Sequence, residues 1–159
     1  MQKLRQSFGF TFVEMMITVI LIGILSALAV PSFIRTMDRV KLKSQIREIV
    51  SDIRWARSKA IQTKVQCGIV FNTDNNTYSI FLDTDNPANF VYSVNDSTLQ
   101  TKTLSSKLDL TACTFPNNCI IFRSDGTGCS TGQINCSSLS ISENYNVNVL
   151  ATTGRVKII

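Results

Sequence analysis

The sequence predicts an α+β protein, with one long N-terminal helix, transmembrane in its first half and amphipathic in its second, packed on an antiparallel β-sheet head. Three observations carry that prediction. Phe10–Val30 is an apolar run in which Glu14 is the one charged residue. Leu42, Ile46, Ile49, Ile53, Ala56 and Ala60 then recur at helical spacing, with Val50 and Trp55 widening the stripe. From Val65 the apolar period shortens and turn residues multiply.

Four segments follow in order: 1–9, 10–30, 31–64 and 65–159. The first is short and basic, with Lys3 and Arg5. The second gives about 30 Å of helix at ~1.5 Å per residue, enough to cross a hydrocarbon core. A carboxylate there costs about 2.5–3.5 kcal/mol on insertion scales unless a cation meets it. The segment holds no cation, but a peptide bond broken between Gly9 and Phe10 would create one, four residues before Glu14. A neighbouring copy could present that amino group to Glu14. A secretory signal peptide is the competing reading, with a small-residue site near Ser26–Ala29; the apolar run is longer than a signal's ~7–15 residues and a Glu is out of place in it. A plain single-pass anchor with its basic end in the cytoplasm has the same orientation.

Pro31 is expected to kink the helix without ending it, since the apolar stripe resumes and runs to about Thr63. Arg35, Arg39, Lys41, Lys43, Arg47, Arg54, Arg57, Lys59 and Lys64 fall on the other faces. They can be a solvated face paired with Glu48 and Asp52, or a surface for anionic headgroups or neighbouring subunits. Up to Lys64, 11 Lys and Arg stand against 4 Asp and Glu; from Val65 on, 5 stand against 7. The basic balance therefore belongs to the helix and not to the head.

In the head, Val65–Phe71 and Thr77–Leu82 read as a hairpin around Thr73–Asn76, where Asn and Asp tolerate positive φ. Further strands are expected at Phe90–Val94, Leu108–Leu110, Cys119–Arg123, Leu139–Ile141, Tyr145–Leu150 and Arg155–Ile159. Of the five cysteines, Cys113 with Cys119 and Cys129 with Cys136 would each close a short loop, worth about 2–2.5 kcal/mol if unstrained. Cys67 is left as a buried small hydrophobe. The spacing, with no His, does not fit zinc, so no metal or other cofactor is expected.

No catalytic residue is expected either. General acid/base chemistry would fall to carboxylates or Lys, and the serines at 137–140 have no base beside them. Asp74, Asp83, Asp85 and Asp125 lie on expected loops, where they serve turns. Asp83–Asn86 lacks the Gly and bidentate Glu of an EF-hand.

The leader Met1–Gly9, the Gly9/Phe10 junction, Glu14 and the apolar run together resemble a type IV prepilin. The resemblance implies that a prepilin peptidase cuts between Gly9 and Phe10, that Phe10 is N-methylated, and that Glu14 serves subunit assembly. It also implies a single-pass protein of the bacterial inner membrane, its head periplasmic, that later enters a filament with other pilin or pseudopilin subunits. Three further segments, Ala56-Arg57 to Ala60, Ile121-Phe122-Arg123-Ser124-Asp125-Gly126-Thr127 and Thr153-Gly154-Arg155-Val156-Lys157-Ile158, resemble the GspH/FimT family. That family comprises type II secretion pseudopilins and minor pilins of type IV pili, low-abundance subunits near a filament tip. Some FimT-like minor pilins bind DNA through a Gly-Arg-x-Arg motif, which Gly154-Arg155-Val156-Lys157 resembles with Lys for the second Arg. Strand alternation would set Arg155 and Lys157 on one face about 7 Å apart, suited to successive phosphates of double-stranded DNA. A polar edge-strand face is the other reading of the same two residues.

Overall fold

The computed structural model describes residues 9–139 and 143–158. Most of the expected leader, Met1–Phe8, lies outside the described residues, as do Ser140 and Ile141 of one expected strand and Ile159. The chain divides into two compact units, Met1–Met37 and Asp38–Ile159.

Helix α1 spans Phe12–Thr63 and contains Pro31. Thr11 caps it, because its hydroxyl accepts a bond from the Glu14 amide at 3.3 Å. Lys64 ends it in the left-handed region at φ +58, a position glycine usually fills. In the first unit residues 9–37 are exposed throughout, and among them stand large apolar side chains from Phe12 to Met37. The helix is long and apolar enough to cross a membrane.

In the second unit Leu42, Ile46, Ile49, Val50, Ile53, Ala56 and Ala60 are buried, as the stripe predicts, whereas Trp55 stays 44% exposed. They pack against two four-stranded antiparallel sheets. One is built from β1 (Cys67–Asn72), β2 (Thr77–Leu82), β3 (Ser97–Thr103) and β5 (Cys119–Phe122), in the order β3-β2-β1-β5. The other is built from β4 (Leu108–Cys113), β6 (Gly132–Ser138), β7 (Asn144–Leu150) and β8 (Arg155–Ile158), in the order β4-β6-β7-β8. Ile69, Phe71 and Ile120 of the first sheet meet Leu108, Ile134, Val147 and Val149 of the second in one cluster around the helix stripe. Asn76, at φ +53 in the expected hairpin turn, joins the sheets: its amide donates to the Leu108 carbonyl at 3.0 Å and its side-chain oxygen accepts from Leu110 N at 2.8 Å.

Two strands escape the sequence pattern and one expected strand is absent. β3 is exposed along almost its whole length, so it offers no apolar alternation to read. β6 does alternate, burying Ile134 and Cys136, but its Gly, Asn and Ser content reads as turn. Phe90–Val94 is irregular, with Phe90 at φ +53. Its aromatics pack without a ladder: Tyr92 meets Phe81 edge-on at 4.8 Å between centroids, and the Arg123 guanidinium sits 4.9 Å over the Phe90 ring. Leu139 is a bend, outside any strand.

The helix carboxylates also find partners that the sequence does not indicate. Lys102 of β3 lies 2.8 Å from Glu48 and 2.7 Å from Asp52, and the Tyr78 hydroxyl donates to Asp52 at 2.6 Å. These contacts replace the expected pairing with helix arginines. Arg39 pairs with Glu143 at 2.6 Å and Lys107 with Asp38 at 2.6 Å, tying the helix to the β6–β7 and β3–β4 connections.

Candidate functional site

The first candidate site is the start of α1. Gly9 and Phe10, the expected cut site, are exposed and precede the helix. Glu14 closes a capping box: its Oε2 accepts from the Thr11 amide at 2.9 Å and the Thr11 hydroxyl at 3.1 Å. Thr11 is therefore a capping position that the sequence expectations did not single out, although Thr-x-x-Glu before an apolar run is its signal. Within the single chain the carboxylate thus holds the helix start, and its other oxygen receives neither of these bonds.

The second site joins three segments far apart in sequence. Arg57, half-buried on α1, donates through Nε to the Gly126 carbonyl at 2.8 Å. Gly126, at φ +84, sits in the Arg123–Thr127 turn, which Asp125 holds by accepting from the Thr127 amide and hydroxyl. Gly154, at φ +59, packs against both partners. A Cβ there would come 2.6 Å from the Gly126 oxygen and 2.7 Å from Arg57 Nε. The three motif segments read from the sequence are therefore one junction, and Arg57 and the two glycines serve its packing.

Beside that junction an open cleft of about 430 Å³ is lined by Arg54, Arg57, Thr153, Arg155 and Lys157, among others. Arg155 and Lys157 are exposed on the same side of β8 while Val156 between them is buried, as alternation predicts. Among the described residues no salt bridge engages Arg54, Arg155 or Lys157. Arg54 is the cation that the C-terminal motif by itself does not reveal, since only the fold brings it to the same cleft.

Among the remaining sequence candidates, the cysteines fall in two apolar clusters. Cys67 is fully buried in the main cluster, and burial pushes its thiol up to about 12. The other four cysteines are likewise free thiols in this structure. Cys113 and Cys136 meet the main cluster, while Cys119 and Cys129 meet a smaller one around Phe81. Among the described residues no three His, Cys, Asp or Glu side chains gather at metal-binding distance.

Asp83 departs from its expected turn role. Its side chain is buried, with neither oxygen hydrogen-bonded among the described residues, and Asp96 holds the turns instead, accepting from the amides of Thr84, Asp85 and Ser93. Burial, then Asp96 and Asp85, raise the Asp83 pKa. A carboxyl that binds its proton more tightly folded than unfolded contributes stability below the unfolded pKa, and that contribution is lost as pH rises through the folded one. Asn keeps the shape and removes only the charge, so Asp83→Asn is expected to gain stability relative to the wild type as pH rises from about 4 to neutral. Urea unfolding between about pH 4 and pH 7 checks it, because the wild type should lose stability relative to the variant as pH rises. Equal pH profiles for the two proteins would show that Asp83 finds a partner. Glu143 and Asp125, both held low by hydrogen bonds, act with the opposite sign and cancel in that comparison.

Comparison with known proteins agrees with this geometry. A comparison with curated proteins finds no match. Among solved structures, the minor pseudopilin EpsH from the type 2 secretion system of Vibrio cholerae superposes with a TM-score of 0.60 at 13% identity, covering 75% of this chain and 96% of that one. The type IV minor pilin FimU of Pseudomonas aeruginosa gives 0.55 at 15% identity, with coverages of 74% and 92%. Escherichia coli GspH gives 0.56 at 10% identity, with coverages of 76% and 88%. At such identities these likenesses speak for the fold. Residues 4–30 match the prokaryotic N-terminal methylation motif, and residues 45–153 match the type II transport protein GspH family model. With more than half of its length in that match, the chain belongs to the GspH family of pilin-like proteins.

Proposed function

We propose that this chain is a minor subunit of a filament of the type IV pilin kind, a minor pilin of the FimT sort, with a type II secretion pseudopilin as the alternative machine. It is anchored in the inner membrane with its head in the periplasm until a prepilin peptidase removes the leader at Gly9/Phe10. Phe10 then carries the N-terminal, methylated amino group, and Glu14 neutralises the same group on an adjoining subunit. The observation that carries this reading is the apolar surface of residues 9–37, wholly exposed and headed by a lone carboxylate. Lipid before assembly, and the apolar segments of other subunits after it, would cover that surface. A scaffolding role, not catalysis, follows. The direct test is co-isolation of the processed chain with other pilin-like subunits, compared with a Glu14 variant. A deletion strain that loses piliation points to the pilus, and one that loses protein secretion points to the secretion machine.

A second reading, a receptor for double-stranded DNA, is favoured by one observation: Arg54, Arg155 and Lys157 line the same cleft, and among the described residues no salt bridge engages them. Cations spaced along a strand can neutralise successive phosphates, and Lys157 keeps the charge of an Arg without its planar fork. The full chain in detergent is then expected to retard duplex DNA at low salt, and the Arg155→Ala/Lys157→Ala variant to bind at least tenfold more weakly. Absent retardation, or equal retardation by the variant, removes the reading.

A further inference from the structure

Four cysteines stand in a row that chain order hides. Cys113 ends β4 opposite Ile134, and Cys136 lies two residues along β6, opposite Leu110. Both side chains meet the main cluster, and after burial and Asp109, Cys113 lies near enough to add to the upward push on the Cys136 thiol. Cys119 opens β5. An antiparallel bridge joins Phe122 to Gly128, and the Cys129 amide donates to the Ile121 carbonyl at 2.9 Å. Cys129 is therefore opposite Ile121 and diagonal to Cys119. Residues two apart on a strand share a face, and Cys119, Ile121 and Cys129 accordingly meet in the second cluster and line one cavity of about 220 Å³. Besides burial, which dominates, Cys113 and Cys129 both lie near enough to add to the upward push on the Cys119 thiol. The spatial order is thus Cys136, Cys113, Cys119, Cys129.

Only one pairing that uses all four joins neighbours throughout. The loop-local alternative joins Cys113 to Cys119 but leaves Cys129 and Cys136 at opposite ends of the row, in separate clusters. We infer that the mature head is cross-linked by Cys113–Cys136 and Cys119–Cys129 disulfides, in place of the pairs that spacing along the chain favours. Cross-strand diagonals span about 7–8 Å between Cα atoms and bridged cysteines up to about 6.8 Å, so each closure needs a shift of about one ångström. Cys113 follows a register shift between Leu110 and Ala112, and Cys129 lies in irregular chain. Both can supply that movement without breaking a regular ladder.

The inference rests on the proposed export of the head, which brings it to an oxidising compartment. The chemistry is thiol–disulfide exchange with an oxidising disulfide. The Cys129 thiolate attacks one sulfur of that oxidant and expels the other as a thiolate. Cys119 then loses its proton and attacks the Cys129 sulfur, closing the protein disulfide and releasing the second thiolate. Two protein thiols are oxidised, one disulfide is reduced, and the two protons end on the released thiols. Cys113, less buried than Cys136, opens the other bridge in the same way. Burial pushes Cys119 and Cys136 up to about 12 and raises Cys113 and Cys129, so exchange is slow in the closed head and fast while it folds.

Refolding the full chain in detergent with a glutathione/glutathione disulfide buffer tests the pairing apart from export. No Lys or Arg lies between Lys107 and Arg123, or between Arg123 and Arg155. Trypsin therefore leaves Cys113 and Cys119 on one peptide and Cys129 and Cys136 on another. The inference expects one covalent species containing both peptides, separating on reduction. Further cleavage after Asn117 or Asn118 and after Asn135 should resolve it into a Cys113/Cys136 pair and a Cys119/Cys129 pair. Two unlinked peptides, whether bridged internally or left as thiols, overturn it, and so does the crossed pairing of Cys113 with Cys129. Should the refolded chain show these links while the chain isolated from cells does not, the proposed export fails and the pairing stands.

Discussion

Glu14→Val is expected to leave leader removal intact while lowering recovery of the chain in assembled filaments by at least tenfold. The carboxylate has two separable roles. Within the chain it completes the capping box with Thr11, a contribution of about 0.5–2 kcal/mol to the helix start. Between chains, on the proposed function, it meets the amino group of Phe10 in an apolar setting, where stripping one partner from a buried pair costs about 3–5 kcal/mol. The second effect is larger, so assembly should fail before the helix does. Glu14→Gln separates them, because a glutamine still caps but carries no charge. Filament recovery at the wild-type level with Gln, but not with Val, would assign Glu14 to capping alone. Processing measured on the same samples by the mass of the mature chain keeps a cleavage defect apart from an assembly defect.

Gly154→Ala is expected to cost the head about 3–5 kcal/mol in urea unfolding, whereas Arg155→Ala beside it should stay within about 0.5 kcal/mol. At φ +59 any L side chain pays about 1–2 kcal/mol for left-handed backbone. The added Cβ would also overlap the Gly126 oxygen and Arg57 Nε, at 2.6 and 2.7 Å. Relief requires parting the two turns, which gives up the 2.8 Å bond from Arg57 to Gly126, a charged hydrogen bond worth about 1.5–3 kcal/mol. A loss under 1 kcal/mol would mean that the junction yields freely. The contrast between the two neighbours also bears on the receptor reading, since it separates a glycine kept for packing from an arginine left for a ligand.

Much of the architecture is legible before folding. The stripe from Leu42 to Ala60 identifies the buried helix face residue by residue, because helical periodicity is a local property that solvent exclusion enforces. The hairpin around Asn76 is equally local. β3 and the irregular Phe90–Val94 segment are not: the first is a polar edge strand that exists because β2 offers a ladder, and the second is apolar because Phe90 and Tyr92 cover Phe81 and Arg123, not because they pair. Asp83 shows the same limit, since a loop position gives no sign of its burial.

By itself, then, the sequence determined the membrane-length helix, its lone carboxylate and the α+β class, because apolar run length and the shift from helical to strand periodicity are local properties of the chain. Only the tertiary structure decided that Arg57, Gly126 and Gly154 form one junction, that Arg54 joins Arg155 and Lys157 at a cleft, and that Cys119 neighbours Cys129 across β5. Those relations depend on which strands pair and in what register. Register is set by packing between segments distant in the chain, which no local pattern of residues encodes.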